Sequence, residues 1–492
     1  MFNRTGYFDV KWFGAKGDDS ADDTAAIQAA FGAIGTFGSW GGEVFFPPGT
    51  YRIYSRLVTA WMAPKTFNGN VRIRGSEAGS GNTFGGSILK WYGSPTEGVD
   101  DSTLLQIGVP NCIVEHLYFT VAPTKSCGPL LNIGYSHNDT TSTAVSNVTI
   151  KHCNFSANDS ATGSAQAGIA IDYNGIATGN GENCLIYRST FHGFLKACIY
   201  IRGGQPFNTV VDNCYLSNSG LNTLGDYPYG LGIRVDTASC SLHVNATSFD
   251  RLGAAVCLVN YPSSTVLVNC EGEFNKKLVY HAGYGQGDLA TVSILGGRFA
   301  VQAAGYVSQG SFAAFPAADT DCVTMTGDAA LVIQGVSFSS GPEILPFRVY
   351  SRGNINSASN VYPNSNPFKC DTYWEDDNPP KVFSSGDYYP TASGNNAALP
   401  TLRGFRQPGG TVTFGPTDTA KAVSFTVNAE GTLSPAGAPL NPNYRVILTI
   451  QSAAGGATIT TPYVSALSNT GFTISLPSPP GASVVVGYDL VR

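Results

Sequence analysis

Short stretches in which apolar and polar residues alternate recur through the middle of the chain, and most end in phenylalanine. Their last residues are Phe119, Phe155, Phe191, Leu216, Phe249, Phe274, Phe299 and Phe338. Alternation predicts β-strands, and recurrence every 25 to 39 residues without an intervening helical stripe predicts a solenoid. We therefore predict an all-β parallel β-helix in which equivalent strands stack and the phenylalanines form an interior ladder. A two-sheet sandwich fits less well, because its turns would not recur in this register.

One segment near the amino terminus has the spacing of an amphipathic helix instead. In DDSADDTAAIQAAFGAIG, Ser20 is predicted to cap the helix, with Asp22 and Asp23 in the first turn, where the helix dipole favours negative charge. The apolar residues recur at i, i+3, i+4 and i+7, as Ile27, Ala30, Phe31 and Ile34. Such a helix would close the open end of a solenoid, which otherwise exposes its core and its strand edges.

The pattern changes along the chain and divides it into four predicted parts. Residues 1–53 form a capping motif with the helix, and residues 54–350 form the parallel β-helix. Residues 351–400 are rich in Asn, Ser, Pro and Asp and are predicted to be a linker or an extended strap. Residues 401–492 return to alternating strands with Gly and Pro turns, which predicts an antiparallel, β-sandwich-like module.

Composition narrows the functional classes. The net charge is −6 and no basic run is present, which argues against nucleic acid as the main partner. No apolar run has the length of a membrane-spanning helix, so no membrane partner is predicted. The 11 cysteines lack metal-ligand spacing. We therefore predict buried free thiols in a protein assembled in a reducing cytoplasm, with no metal site and no cofactor.

Outward side chains on equivalent strands should form columns along the solenoid, because alternate residues of a strand point to opposite faces. We take the interior positions to be Ile169/Ile171, Ile199/Ile201, Ile233/Val235, Val256/Leu258 and Leu278/Tyr280. The residues one position on are then Asp172, Arg202, Asp236, Val259 and His281. The parallel outward column is Ala170, Tyr200, Arg234, Cys257 and Val279.

Asp172 and Asp236 are the candidate catalytic pair. With one coil between them they would lie roughly 9.5 Å apart, near the upper limit for an inverting glycosidase. In such an enzyme one acid protonates the leaving oxygen while the other activates water. Arg202 between them would keep at least one carboxylate ionised, although a simple surface ion ladder would look the same. The residues expected to bind the glycan beside this pair are Arg202, Arg234, Tyr200 and His281.

A long insertion, SNSGLNTLGDYPYG, directly precedes the strand that carries Arg234 and Asp236. It supplies Asp226 as an alternate catalytic acid, and Tyr227 and Tyr229 as rings on which a sugar can stack.

Two further sets of outward residues are weaker candidates. One is the column Glu115, Lys151, Tyr187, Asp212 and Asn245, a second possible groove. The other is Glu271 and Glu273, where a repeat carries an extra residue and a β-bulge could turn one carboxylate outward.

The amino-terminal sequences FDVKWFGAKGDDSADDTAAIQAAF and GGEVFFPPGTYRI, within residues 8–53, carry a resemblance to a known family. They closely resemble the opening motif of the pectate-lyase-like right-handed β-helix superfamily, which includes phage tailspikes, polygalacturonases, lyases and alginate epimerases. The NTD…DD…GHG…RIK series of polygalacturonases, the DPH signature of epimerases and the WIDH phrase of pectate lyases are absent from the chain. It is therefore most similar to the phage tailspike and capsule depolymerase branch.

The resemblance implies a phage-tail virion protein, assembled in the host cytoplasm as a homotrimer and attached to a baseplate or adaptor protein. It would bind and hydrolyse bacterial capsular polysaccharide or O-antigen. The last phrases of the chain are similar to carboxy-terminal modules of tailspikes, which implies trimerisation or sugar contact. One alternative is a polysaccharide lyase, in which Tyr200 or His281 takes a proton beside a uronate that arginine neutralises. The other is a glycan-binding adhesin without enzymatic activity.

Overall fold

Two compact units make up the structure, a computed structural model of the chain. One unit comprises Met1–Pro367 and Asp371–Asn396, and the other comprises Phe368–Cys370 and Ala397–Arg492. The structure describes residues 6–36, 41–59, 70–77, 86–94, 102–134, 145–157, 164–172, 182–202, 207–217, 230–236, 240–259, 264–275, 277–282, 290–301, 323–327, 329–340, 347–351, 355–362, 368–370, 382–385, 409–424, 426–427, 433–434, 445–458, 460–468 and 471–491.

The first unit is built from three stacks of parallel strands, and in each full coil the chain passes from sheet A to sheet B to sheet C. The strands of sheet A are Tyr7–Asp9, Gly41–Phe46, Asn70–Gly75, Cys112–Glu115, Thr149–Lys151, Leu185–Tyr187, Thr209–Asp212, Ser241–Asn245, Ser264–Val268, Ala290–Leu295, Ala329–Gln334, Ile355–Ala358 and Val382–Ser385. The strands of sheet B are Asp18–Asp22, Gly49–Ile53, Ser87–Trp91, Leu117–Val121, Asn154–Ser156, Thr190–His192, Tyr215–Ser217, Ser248–Asp250, Glu271–Asn275, Arg298–Val301 and Ser337–Ser340. Sheet C includes the strands Leu57–Val58, Leu105–Ile107, Cys127–Ile133, Ala165–Ile171, Phe194–Ile201, Leu231–Val235, Ala254–Val259, Lys277–Ala282, Val323–Gly327 and Phe347–Ser351. This stacking confirms the predicted β-helix.

The phenylalanine ladder lies inside the coils, as predicted. The ring of Phe155 stacks on Phe119 at 4.8 Å and on Phe191 at 5.0 Å between centroids, with the ring planes 4° apart in both pairs. All three rings are buried. Each coil therefore places an aromatic ring on the equivalent ring of the previous coil, and these contacts help to fix the register of the strands.

The ladder departs from the prediction at one coil, where Gly272 takes the place expected for Phe274. Gly272 pairs with Phe249 of the preceding coil and with Phe299 of the next, and the register then shifts before Asn275. A methyl group at Gly272 would lie 2.8 Å from the Phe299 ring, so glycine gives that ring its space. The extra residue in this repeat is accommodated by a β-bulge, which an aromatic landmark alone does not reveal.

Asparagine ladders define a corner of the coil before sheet A. The side-chain amide of Asn147 donates to the Oδ1 atom of Asn111 at 3.1 Å. Asn183 donates in the same way to Asn147 at 3.1 Å, and Asn208 donates to Asn183 at 3.2 Å. All four residues have positive φ angles, which asparagine tolerates better than most residues. Each asparagine of this ladder therefore both adopts the turn conformation and forms a side-chain hydrogen bond to the next coil.

The amino-terminal helix runs from Thr24 to Thr36 and begins later than predicted. Its predicted apolar stripe, Ile27, Ala30, Phe31 and Ile34, is buried. The prediction that Ser20 caps the helix is wrong, because Ser20 lies in the strand Asp18–Asp22. The Thr24 amide instead donates to the carboxylate of Asp22 at 2.9 Å. A short 3-10 turn, Val10–Phe13, lies between the first strands, and none of the described helices is long and apolar enough to cross a membrane.

The aspartates of the opening motif brace this end of the β-helix. Asp23 accepts hydrogen bonds from the amides of Lys16 at 2.6 Å and Gly17 at 3.1 Å. Asp19 pairs with Arg52 at 3.1 Å and Lys90 at 3.0 Å. Partial burial would raise the pKa of Asp19, but the hydrogen bonds from these two cations outweigh it and hold the pKa below its usual range. The carboxylates are thus occupied by local structure.

The predicted boundaries of the β-helix differ from those in the structure. Sheet A already begins at Tyr7–Asp9 inside the predicted cap. It also continues through Ile355–Ala358 and Val382–Ser385, inside the predicted linker 351–400. These strands pair with the coil before them despite their polar composition, because a parallel ladder needs backbone groups more than it needs apolar side chains.

The second unit contains antiparallel strands, as predicted for residues 401–492. Gly409–Phe414, Val484–Val491 and Arg445–Ala453 form one three-stranded sheet. Ala420–Ser424, Gly471–Ser475 and Tyr463–Ser468 form another, and Thr426–Val427 pairs with Leu433–Ser434. Residues of both three-stranded sheets share one core: Phe414, Val423, Phe472, Ile474, Leu476, Val484 and Val486. A role for this module in trimerisation or sugar contact stays a prediction.

Candidate functional site on sheet C

The outward column of sheet C follows the predicted register over four coils and then shifts by one residue. Ala170 pairs with Tyr200, Tyr200 with Arg234, and Arg234 with Cys257. The next member is Tyr280, where Val279 was predicted. The shift follows the bulge in the same coil, and a slip of one residue exchanges the two faces of a strand.

The shift corrects the prediction for His281. This residue pairs with Leu258 and with Met325, both interior residues, and only 1% of its surface is exposed. His281 therefore lies inside the coil and does not line an outer surface. Ala282 pairs with Val259 and takes the outward place that was expected for His281.

Asp172, Arg202 and Asp236 occupy equivalent places on three successive coils, as the sequence predicts. Their backbone amides follow the ends of three stacked strands and donate to the carbonyls of Ile133 at 2.7 Å, Ile171 at 2.9 Å and Ile201 at 2.8 Å. Strands are spaced by about 4.8 Å, so the backbones of Asp172 and Asp236 are roughly 9.6 Å apart. Asp172 is buried and has a φ angle of 48°, whereas Arg202 is exposed.

Asp236 is held by two neighbouring side chains of the outward column. The Tyr200 hydroxyl donates to Oδ2 at 2.7 Å, and Nε of Arg234 contacts Oδ1 at 2.8 Å. The side chains of Arg234 and Asp236 are only 11% and 13% exposed, so this ion pair is shielded from water. Removing one partner of such a pair would leave a buried charge uncompensated, so breaking the pair should be strongly destabilising.

The same contacts shift two pKa values. Burial raises the pKa of the Tyr200 hydroxyl, and the charge of Asp236 and its hydrogen bond raise it further. Burial alone would lower the pKa of Arg234, but the hydrogen bond to Asp236 and its charge raise that pKa above its usual range. Tyr200 therefore keeps its proton, and Arg234 keeps its charge.

Mostly small residues surround Tyr200, Arg234 and Asp236 on the outer face of sheet C. A buried cluster contains Ala167, Ala170, Ala197, Tyr200, Leu231, Ala254 and Cys257. The Lys196 ammonium lies 5.5 Å from the centre of the Tyr200 ring, and the Lys277 ammonium lies 5.6 Å from that of Tyr280. Sequence reasoning missed Lys277 and Tyr280, because the assumed register turned Tyr280 inward. We call Asp172, Tyr200, Arg202, Arg234, Asp236, Lys277 and Tyr280 the sheet C site.

Three predicted site residues, Asp226, Tyr227 and Tyr229, lie outside the described residues. The insertion that carries them connects the strands Tyr215–Ser217 and Leu231–Val235, so in sequence it adjoins the coil of Arg234.

The second predicted column is continuous on sheet A, but two of its charged members, Glu115 and Lys151, bind each other. Glu115 pairs with Arg74 and Lys151 across the ladder, followed by Tyr187, Asp212 and Asn245. Glu115 is buried and forms ion pairs with Arg72 and with Lys151, the latter at 3.0 Å. Burial would raise the pKa of Glu115, but its hydrogen bonds to Lys151 and Arg72 and their charges lower it. The ion-ladder interpretation suits this column.

The cysteines that the structure describes are buried free thiols: Cys112, Cys127, Cys153, Cys184, Cys198, Cys214, Cys240, Cys257 and Cys270. Burial raises the pKa of Cys112 and Cys184 to about 12 and that of Cys270 to about 11. Within the described ranges, no group of three or more His, Cys, Asp or Glu side chains is placed to hold a metal ion.

The amino-terminal part of this β-helix is similar to a known protein family. Residues 7–235 match the family described as rhamnogalacturonase A/epimerase, pectate lyase-like. Mannuronan C5-epimerase AlgE3 of Azotobacter vinelandii is 40% identical over 110 residues, which is 20% of this chain and 6% of that protein. Alginate lyase 7 of the same organism is 54% identical over 46 residues, 9% of this chain and 5% of that protein. The matches thus span a small fraction of the length of these relatives.

Two solved structures share the fold of this chain. The Dettilon tailspike protein superposes with a TM-score of 0.52 at 12% identity, covering 99% of this chain and 94% of that one. The tailspike of Escherichia coli bacteriophage HK620, solved with a hexasaccharide, has a TM-score of 0.51 at 11% identity and covers 99% and 93%. The family match covers residues 7–235, and the two tailspikes share the parallel β-helix fold of this chain.

Proposed function

We propose that this chain is a tailspike-like depolymerase that binds and hydrolyses a bacterial surface polysaccharide, capsule or O-antigen, in host recognition. The shared fold with a tailspike solved with a hexasaccharide supports a glycan ligand. The family described as rhamnogalacturonase A/epimerase, pectate lyase-like, supports chemistry on polysaccharides.

The column Asp172–Arg202–Asp236 carries the proposal of hydrolysis. Asp236 is paired with Arg234 and oriented by Tyr200, which suits a base that takes a proton from water. That water attacks the anomeric carbon while Asp172, on the other side of the bond, donates a proton to the leaving oxygen. With backbones roughly 9.6 Å apart, the two side chains need to approach each other only slightly to reach the carboxyl separation of about 6.5–9.5 Å that leaves room for the water and gives inversion of the anomeric centre. Asp226 remains the alternate acid.

The cations of the sheet C site favour an acidic sugar. Arg202, Arg234 and Lys277 outnumber the two aspartates, and the Tyr280 ring and the tyrosines Tyr227 and Tyr229 offer surfaces for stacking. His281 is left out of the binding set because it lies in the interior.

A lyase is the second candidate, favoured by one observation. Tyr200 and Arg234 are neighbours across the ladder, as needed for proton abstraction beside a uronate neutralised by arginine, and two relatives are named for mannuronan and alginate. However, Tyr200 donates its hydroxyl proton to Asp236 and its pKa is raised, which disfavours Tyr200 as a base. Hydrolysis therefore fits the geometry better.

The assembly we propose is a homotrimer in the virion tail, formed in the host cytoplasm and attached to a baseplate or adaptor protein. The match to tailspike folds supports it.

The test is to incubate the protein with capsule, lipopolysaccharide and alginate, following chain length, ultraviolet absorbance and anomeric configuration together. Shorter chains of inverted configuration without new absorbance are expected. Shortening with rising absorbance from unsaturated uronates would establish the lyase instead. Binding without shortening across the panel would leave an adhesin.

A further inference from the structure

The outer face of sheet B carries a tyrosine that is exposed and yet fixed in place. Tyr215 is 42% exposed, and its hydroxyl donates to Oδ2 of Asp250 on the next coil at 2.8 Å. Partial burial and this hydrogen bond raise the pKa of the Tyr215 hydroxyl. The side chain of Asp250 is 13% exposed. Because the ring is anchored at its far end, it offers a flat surface to solvent with little conformational freedom left to lose on binding.

Two more carboxylates extend from the coil after Asp250. Tyr215 pairs with Ser248 and Ser248 with Glu271, while Asp250 pairs with Glu273. Phe249 and Gly272, between these positions, face the interior, so both glutamates point outward, and both are exposed. The Oδ1 atom of Asp250 is buried and has no hydrogen-bond partner.

An ion ladder is the competing interpretation, and it accounts for only part of this arrangement. Arg251 Nε lies 3.7 Å from Oδ2 of Asp250, and Arg298 pairs with Glu271 across the ladder. These two guanidinium groups face three carboxylates, so the surface has an excess of one negative charge. The sheet C site has three cations and two aspartates, an excess of one positive charge. The two faces therefore select for different ligand charges.

We propose that Tyr215, Asp250, Glu271 and Glu273, which we call the sheet B site, bind a neutral or amino-bearing sugar unit. The apolar face of such a ring stacks on Tyr215, and its hydroxyl or ammonium groups donate to the carboxylates. A uronate would be repelled. The proposal rests on the proposed function only in taking the ligand to be a saccharide.

The position of the sheet B site suits a polymer that also reaches sheet C. Tyr215 and Arg234 lie on consecutive strands, Tyr215–Ser217 and Leu231–Val235, of one coil. A polysaccharide that combines an acidic sugar with a neutral or amino sugar in its repeat would find a complementary surface on each sheet.

The experiment measures binding without turnover, in the Asp236→Asn background. The probes are oligosaccharides of glucosamine, of glucose and of alginate uronates, titrated by saturation-transfer NMR. Tyr215→Ala should weaken binding of the glucosamine and glucose oligomers about fivefold and leave the uronate oligomer unchanged. Glu273→Gln should weaken only the glucosamine oligomer. Tyr54→Ala is the matched control, because Tyr54 is also 42% exposed but stacks on Tyr92.

The proposal is overturned if the parent binds neither the glucosamine nor the glucose oligomer, or if Tyr215→Ala binds both as the parent does. It is also overturned if the uronate oligomer is the probe that depends on Tyr215. The proposed hydrolysis is tested separately, with the protein that retains Asp236. If that protein did not cleave the polysaccharide, hydrolysis would be wrong, but the binding result for Tyr215 would not be affected.

Discussion

The hydroxyl of Tyr200 donates a 2.7 Å hydrogen bond to Asp236, which follows the paired strand of the next coil. With Arg234 at 2.8 Å on the other carboxylate oxygen, Asp236 has a neutral donor and a cation in fixed positions. Two coils of the solenoid are thereby joined at one carboxylate on the outer face of sheet C. The first prediction concerns this group.

Asp236→Asn should reduce cleavage by about 10²–10⁴-fold, because an amide cannot accept a proton from water. Asparagine has the size of aspartate and can still accept the hydrogen bond from Tyr200, so glycan binding should be retained, while the loss of charge opposite Arg234 should lower the free energy of unfolding. Cleavage is measured by the appearance of new reducing ends. Affinity is measured by titrating Asp236→Asn with the glycan under conditions in which no cleavage occurs. Asp212→Asn, on the outer face of sheet A, is the control and should cleave normally. Near-normal cleavage by Asp236→Asn would remove this residue from the mechanism.

Separate substitutions of Tyr280 and His281 test the register of sheet C. Tyr280→Ala should weaken glycan binding with little change in the free energy of unfolding, because Tyr280 lies outward. His281→Leu should change stability without altering the outer surface, because His281 is buried between Leu258 and Met325. Denaturant unfolding and a binding titration on both variants check the assignment. If His281→Leu weakened glycan binding without changing stability, the register predicted from the sequence, with His281 outward, would be correct.

The interior ladder should be sensitive to loss of a ring. Phe155→Ala should lower the free energy of unfolding of the β-helix by about 3–5 kcal/mol, because it leaves a cavity between Phe119 and Phe191. His192→Ala is the matched control, since His192 is exposed on the same sheet, and its effect should stay within about 0.5 kcal/mol. Urea denaturation of both variants provides the comparison. Equal effects would contradict an interior ladder.

Glu115 should stabilise the protein at neutral pH and not in acid. Lys151 and Arg72 lower its pKa in the folded state below the ordinary value of 4.5. The stabilisation is therefore complete above that value and is lost as the pH falls through the folded-state pKa. Thermal unfolding of Glu115→Gln should show a deficit at neutral pH that shrinks well below pH 4.5. Glu271→Gln is the control, and its loss of stability should be smaller because Glu271 is exposed. A loss of stability in Glu115→Gln that did not change with pH would contradict this prediction.

The buried cysteines should be unreactive in the folded protein. Cys112 and Cys184, with a pKa of about 12, hold little thiolate at neutral pH and are shielded from reagents. The variant Cys322→Ser/Cys370→Ser keeps only the nine cysteines that the structure shows to be buried. We expect a thiol reagent to label this variant slowly in the folded state and rapidly after unfolding. Fast labelling of the native variant would show that the strands open readily.

How far the site can be predicted is clearest along sheet C. The alternation of Ile169/Ile171, Ile199/Ile201 and Ile233/Val235 placed Asp172, Arg202 and Asp236 in one column, and the pairing of these strands agrees. The prediction failed at the next coils, where Leu278 and Val279 are equally apolar and the strand could be turned either way. Only the position of the bulge between Gly272 and Asn275 separates the two possibilities.

The sequence by itself determined the class of fold, because a repeated alternation of apolar residues can bury its core only by stacking equivalent strands. It also determined which residues line the interior wherever the alternation is unambiguous. Tertiary structure alone decided which way Tyr280 and His281 point and which side chain binds Asp236. Those outcomes depend on contacts between coils tens of residues apart, such as that between Tyr200 and Asp236, and a one-residue shift in register reverses them.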